Sequence, residues 1–351
     1  MVPLFRKAKA MKRLTEEKIT ALHGAGGAVM EKLILEHILP KFSLRRAGPI
    51  GLDELDDGAV VDLPPGKLVI TTDSHAVKPL FFPGGDIGKL AVTGTVNDLS
   101  VMGARPVALT LALIVEEGFP IADLERILES AAAVLSELGL PLVTGDTKVM
   151  GKGELDGLVV NTTGIGVAEK PVSDAGLRAG DYLVVTGPVG DHGMAILAAR
   201  NELPVETPIK SDVAPLWPAL ERALRTGGIT AMKDPTRGGL SAALNEMARK
   251  SRVGIEVWEE KIPVRPEVQG LCELLGFSPY DLACEGRAVI GVAPEKLDEV
   301  LAALRAHPLT AEAQVIGQAI PEYPGKVILR TAVGGRRFLE MPIGDPVPRI
   351  C

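Results

Sequence analysis

Residues 106–148 read PVALTLALIVEEGFPIADLERILESAAAVLSELGLPLVTGDTK. Residues 106–115 are an apolar run of strand length, and 140–144 are a shorter one. Between them Leu124, Ile127, Leu128, Ala131, Leu135 and Leu138 recur at three- and four-residue intervals, which predicts a helix over 121–138 with one buried face. Working outward, strand patterns occupy 58–63, 67–72 and 157–168, and a helix pattern runs over 87–103. The alternation continues with strands at 182–186, 254–258, 287–293, 313–320, 326–331 and 336–341, and with helices near 192–200, 214–226, 237–250, 266–275 and 294–306. Such alternation predicts an α+β fold of α/β layers.

At 351 residues the chain is long enough for two cores. Glu169 to Asp181 carries Pro, Ser, Asp and two Gly without apolar period, and the domain boundary is placed there. The expected organisation is a basic extension over 1–16, an N-terminal domain over 17–170, a C-terminal domain over 171–341 and a tail over 342–351. That tail holds Pro342, Pro346 and Pro348, so it reads as an extended, semi-rigid arm.

Composition excludes several classes. Hydrophobic residues make up 46% and charged residues 24%, an ordinary globular balance. A net charge of −7 argues against a broad nucleic-acid or anionic-lipid surface. The longest strongly apolar run, Val107 to Val115, is far below the roughly 20 residues that cross a bilayer. Cys272, Cys284 and Cys351 show no CxxC spacing, which suggests a reducing cytoplasm rather than a disulfide framework or zinc cage. Cys272 reads as a buried apolar filler.

Neither common nucleotide motif is present. Gly84-Gly85-Asp86-Ile87-Gly88-Lys89-Leu90 has the wrong spacing for a P-loop, and Gly24-Ala25-Gly26-Gly27 follows a helix pattern rather than a first strand. Asp57, Asp73, Asp98, Asp146 and Asp234 each stand at or beside an apolar stretch. Any one of them alone is most simply a turn former or helix cap, whereas several together offer the oxygen ligands that magnesium takes alongside substrate phosphates. Asp234-Pro235-Thr236-Arg237-Gly238-Gly239 opens a helix with glycine-rich backbone and a guanidinium, a set suited to an anion and also to a plain helix start.

These motifs carry a resemblance. His23-Gly24-Ala25-Gly26-Gly27, Thr71-Thr72-Asp73-Ser74, Phe82 to Gly88, Gly145-Asp146-Thr147-Lys148-Val149, Asn161 to Gly166, Asp234 to Gly239 and the ending Pro348-Arg349-Ile350-Cys351 resemble the HypE family of hydrogenase maturation proteins, from about residue 15 to the end. The glycine and acidic motifs are shared with aminoimidazole ribonucleotide synthetase, selenophosphate synthetase and thiamine monophosphate kinase. The Pro-Arg-Ile-Cys ending discriminates.

The resemblance implies a two-domain PurM-like architecture, a homodimer built through a β-barrel of the N-terminal domains, and ATP with magnesium as cofactors. It also implies an activity: dehydration of an S-carboxamide on Cys351 to an S-cyanide. A HypF-like carbamoyltransferase would load the thiol, and a HypC–HypD-like iron scaffold would accept the cyanide for [NiFe] hydrogenase. By the same resemblance Glu285 is the base and Lys148 orients the phosphate or the thiocarboxamide. Gly26, Gly27, Asp57, Asp73, Asp98, Asp146, Asn161, Asp234, Thr236 and Arg237 fall at nucleotide positions, and Asp57, Asp73, Asp98 and Asp234 also at metal positions. His192 reads as a structural capping residue. Two alternatives stay open: another ATP-using enzyme of the superfamily, and a non-enzymatic carrier that presents a modified Cys351.

Overall fold

The computed structural model describes residues 17–25, 27–55, 58–200, 208–344, 347, 349 and 350. A 3-10 turn at Ala21–Gly24 leads into helix α1 (Gly27–Leu33), which continues through a π turn at Ile34–Ile38. Next come β1 (Lys67–His75), the short pair β2 (Phe81–Phe82) and β3 (Gly85–Asp86), and helix α2 (Ile87–Val101). Asp86 caps α2, its carboxylate accepting from the backbone N–H groups of Gly88 at 2.8 Å and Lys89 at 3.0 Å. β4 (Arg105–Glu116), α3 (Ile121–Leu138) and β5 (Leu142–Met150) form a parallel β–α–β unit, and β6 (Leu158–Ala168) completes the first sheet in the order β1-β6-β4-β5.

Each face of this sheet has its own character. Leu109, Leu111, Leu113, Val143, Thr147, Val160 and Thr162 are buried on the face covered by α2 and α3. α2 is enclosed almost all round, and its Gly88 lets it touch α3, because a Cβ there would stand 2.0 Å from the Ile127 carbonyl oxygen. On the opposite face Leu68 is 50% and Ile70 61% exposed, more than an apolar strand face ordinarily leaves to water.

The second sheet is built from β7 (Tyr182–Val185), β8 (Ile229–Lys233), β9 (Gly254–Trp258), β10 (Val289–Val292), β11 (Gln314–Ile320), β12 (Val327–Arg330) and β13 (Arg336–Phe338), in the order β13-β12-β9-β11-β7-β10-β8. Helices α4 (Asp191–Ala199), α5 (Trp217–Leu224), α6 (Gly239–Ser251), α7 (Pro266–Leu275) and α8 (Leu297–Arg305) complete the half. Residues of α6 share one core with the sheet, and residues of α5 and α8 share another. Among the described residues no helix is long and apolar enough to cross a membrane.

Three expectations fail. Residues 58–63 form no strand: Val60 and Asp62 donate instead to the carbonyls of Ile50 and Ala47 in an irregular loop, so apolar alternation finds no sheet edge to join. β5 does not stop at residue 144, and Gly145-Asp146-Thr147-Lys148 lies within the strand, paired with β4. β8 was not anticipated, since Ile229-Thr230-Ala231-Met232-Lys233 is short and carries a small residue at its centre.

Candidate active site

Carboxylates from both halves meet where α2 crosses between the sheets. β1 presents Thr71, Asp73 and His75 toward α2, and Thr71 donates its hydroxyl to Asp98 of α2 at 2.7 Å. His75 Nε2 lies 3.3 Å from Asp73 Oδ2, and Gly94 makes room for the pair, since a Cβ there would stand 2.8 Å from that nitrogen. Asp234 follows β8 directly. The Cys284 N–H donates to the Pro235 carbonyl at 2.9 Å, which ties the segment carrying Asp234 to the one carrying Glu285.

Glu285 is held by its backbone. Its N–H donates to Asp212 Oδ1 at 3.0 Å, and its carbonyl accepts from Asn97 Nδ2 at 3.0 Å. Its side chain is buried, and Oε1 has no hydrogen-bond partner. Arg287 turns to Asp212, 3.7 Å away, rather than to Glu285. Gly286 permits the close turn, because a Cβ there would meet the Asp212 carbonyl at 2.0 Å.

The electrostatics follow from this crowding. Burial pushes the Glu285 carboxyl well up, and the negative charges of Asp234, Asp212, Asp73 and Asp98 push it further. Burial, followed by the charge of Asp234, raises Asp98 to about 7 against the hydrogen bond from Thr71. Asp234 is raised by burial despite the neighbouring Lys233. Burial lowers His75 against the upward pull of Asp73, and nearby Arg237 lowers it further. The site thus holds more potential negative charge than it can neutralise itself.

Asp146 and Lys148 stand elsewhere. Asp146 of β5 aligns across the sheet with Ala112, Asn161 and Ser74, on the face away from α2, and Lys148 shares that face. Lys148 is three strands from β1, roughly 14 Å at the usual strand spacing, and on the opposite side from Asp73. Asn161 donates to Ser74 Oγ and to the Asp73 carbonyl, both at 2.9 Å. The glycine-rich turn abuts this edge: a Cβ on Gly24 would stand 2.6 Å from Val149 Cβ, and Gly27 opens α1. Beside it, a cleft of about 310 Å³ is lined by Met30, Glu31, Ile34, Leu52, Thr144 and Gly145. Thr236 accepts from the Gly239 N–H in the turn before α6, and Arg237 is exposed. Cys351, Asp57 and Gly26 lie outside the described residues.

The end of the chain reaches the same region. Val347 and Ile350 are buried in an apolar cluster that draws residues from both halves, and the Ile350 carbonyl lies 2.9 Å from His192 Nε2. His192 Nδ1 lies 2.7 Å from Ser211 Oγ, and the next residue, Asp212, holds Glu285. His192 therefore does not cap a helix: Gly190 is the N-cap of α4, and the imidazole is spent on the tail. The sequence reading missed Asn97, Asp212 and His75. Only His75 left a signal, two residues after Asp73 on the same strand face.

The sequence matches the model of the AIR synthase related protein N-terminal domain over residues 55–168 and that of the C-terminal domain over 178–330. It is 50% identical to a hydrogenase expression/formation protein of Methanocaldococcus jannaschii, covering 95% of this chain and 100% of that one. It is 45% identical to the carbamoyl dehydratase HypE of Rhizobium leguminosarum bv. viciae, covering 98% and 99%. The chain belongs to the HypE family. A crystal structure of HypE in complex with ATP superposes with a TM-score of 0.89 at 40% identity, covering 95% of this chain and 99% of that one. HypE in a HypE–HypF complex superposes with a TM-score of 0.77 at 40% identity, covering 90% and 100%.

Proposed function

We propose that this chain is an ATP-dependent carbamoyl dehydratase acting on its own C-terminal cysteine, and that it supplies the cyanide ligand for [NiFe] hydrogenase maturation. Family membership supports the activity, and the seating of the tail supports its self-directed form. From the Ile350 carbonyl, the peptide group before Cys351, one imidazole and one serine lead to the residue that holds Glu285.

The chemistry fits the residues. A carboxamide oxygen is a poor leaving group until it carries a phosphoryl group. The oxygen of the S-carboxamide takes the γ-phosphoryl of ATP, and one N–H proton passes to Glu285. Loss of phosphate together with the second N–H proton then leaves C≡N on sulfur. Burial among carboxylates gives an ionised Glu285 a strong pull on a proton. We assign Lys148 to orienting the phosphate or thiocarboxamide, and Gly26, Gly27, Asp57, Asp146, Asn161, Thr236 and Arg237 to the nucleotide.

Magnesium fits the acidic cluster. Among the described residues no three His, Cys, Asp or Glu side chains are grouped as a ready-made metal cage, but the excess negative charge and the unpartnered Glu285 Oε1 suit a cation that arrives with phosphate oxygens. Asp73, Asp98 and Asp234, with Asp57, would hold it, and it would neutralise charge developing on the transferred phosphoryl group.

A homodimer is part of the proposal. The exposed sheet face carrying Leu68 and Ile70 is also the face of Asp146 and Lys148, so a barrel closed by a second copy encloses these charged residues. We assign 17–170 to this dimerising domain, 171–341 to the second domain and 342–351 to the tail that carries the substrate cysteine. The expected partners are a HypF-like carbamoyltransferase and a HypC–HypD-like acceptor, in a reducing cytoplasm. Deleting residues 349–351 tests the self-directed reaction. ATP consumption in the presence of carbamoyltransferase and carbamoyl phosphate should disappear, and its survival would point to a free small-molecule substrate.

A further inference from the structure

The docked tail is held at two places, and neither is covered by the roles assigned above. At the first, His192 Nε2 is 2.9 Å from the Ile350 carbonyl. A carbonyl oxygen only accepts, so Nε2 must carry the proton. In the neutral ring this leaves Nδ1 as an acceptor for the Ser211 hydroxyl at 2.7 Å. Burial favours the neutral ring. Ser211 is fixed in turn: its N–H donates to the Pro83 carbonyl at 2.8 Å, and its Oγ accepts from the Val213 N–H at 3.1 Å. The Phe82 ring and the imidazole meet in a T-shaped pair, 5.5 Å between centroids.

At the second place, the Arg349 carbonyl accepts from the Lys78 N–H at 3.2 Å and from Arg200 Nη2 at 2.9 Å. Arg200 Nε also reaches the Lys78 carbonyl at 2.8 Å. The Arg349 guanidinium meets Asp156 at 2.6 Å, and Lys78 Nζ meets the same carboxylate at 3.0 Å. These contacts hold Arg349 at φ 56°, in the left-handed region that non-glycine residues avoid.

We propose that His192, oriented by Ser211, is a positioning residue that seats the Ile350–Cys351 peptide for dehydration, with the Arg349–Asp156–Lys78 cluster as a releasable outer clasp. The two places differ in a way that suits this division. The imidazole contact is buried and made to backbone, whereas Arg349, Asp156 and Lys78 are 45%, 56% and 60% exposed and their contacts are open to exchange with water or a partner. Seating serves only the docked step. Loading by the carbamoyltransferase needs the tail presented outward, so weakening the latch should impair one half-reaction and spare or favour the other.

The inference rests on the dehydratase reading, and its test uses a readout independent of that reading. In the full-length protein, His192→Leu removes the donor and keeps an apolar side chain of similar size, and His192→Gln restores an N–H. Three quantities are measured: alkylation of the C-terminal cysteine peptide by iodoacetamide, S-carbamoylation by the carbamoyltransferase, and nitrile formation after carbamoylation. For His192→Leu we expect alkylation to accelerate about tenfold, the equivalent of one lost buried hydrogen bond. Carbamoylation should be unchanged or faster, and nitrile formation slower by a similar factor. His192→Gln should recover most of both changes, and Asp156→Asn should raise alkylation by about two- to threefold. Unchanged alkylation, or carbamoylation falling in parallel with nitrile formation, would overturn the positioning role. If wild-type protein forms no nitrile at all, the dehydratase reading fails, while the alkylation series still decides whether His192 holds the tail.

Discussion

Asn97, in the middle of α2, donates its side-chain amide to the backbone carbonyl of Glu285 at 3.0 Å, although 188 positions separate the two in sequence. The same side chain donates to the Ala214 carbonyl at 3.2 Å and accepts from the Leu216 N–H at 2.8 Å. One buried amide thus couples the helix that carries Asp98 to the loop that carries Glu285. Replacing Asn97 by Leu strands buried backbone groups, and a loss of about 2–4 kcal/mol is expected. Chemical denaturation measures this. Catalysis should fall more than the unfolded fraction explains, because Glu285 loses its anchor.

Glu285→Gln keeps the size of the side chain and removes its capacity to accept a proton. Nitrile formation should drop by about 10²- to 10⁴-fold. Nucleotide binding, measured by calorimetry, should be retained or strengthened as mutual carboxylate repulsion falls. Equal loss of binding and turnover would reassign Glu285 to the nucleotide.

Asp98 gives a pH prediction with a definite sign. Its folded-state pKa, about 7, lies above the ordinary 3.8, so the folded protein binds the proton more tightly than the unfolded chain does. There is no penalty below about pH 4, and it accumulates as pH rises toward 7. Asp98→Asn should therefore stabilise the nucleotide-free protein by about 1–3 kcal/mol at pH 8 and little at pH 4, after allowance for partial solvation. Thermal melts across that range check it. The same variant should lose ATP turnover.

The exposed face of the first sheet predicts association. Ile70→Asp, at a position 61% exposed in the single chain, should leave each copy folded and convert dimer to monomer in analytical ultracentrifugation. An unchanged sedimentation coefficient would remove the sheet face from the interface.

Much of the fold was legible because its helices and inner strands obey simple periodicity. The 121–138 stripe became α3 with the bounds expected, since Gly139 at φ 62° ends it in a left-handed cap. Residues 58–63 misled because alternation reports a half-buried surface and says nothing about a partner strand. The aspartates were legible as residue types, but their grouping was not. Asp73, Asp98 and Asp234 come together through a strand, a helix and a loop from two halves, whereas Asp146, equally marked by its motif, lies on the other face of the sheet. Asp212 and Asn97 left no trace because they act through backbone groups that any sequence supplies. The seat for the tail was hidden likewise: His192 looked like part of a helix start, and only the fold brings it to Ile350.

The most direct measurement is intact mass of the C-terminal peptide after loading by the carbamoyltransferase with carbamoyl phosphate, followed by incubation with or without ATP and magnesium. The account predicts a carbamoyl adduct on Cys351 that loses the mass of one water only when ATP and magnesium are present. An adduct that persists unchanged under both conditions would contradict it.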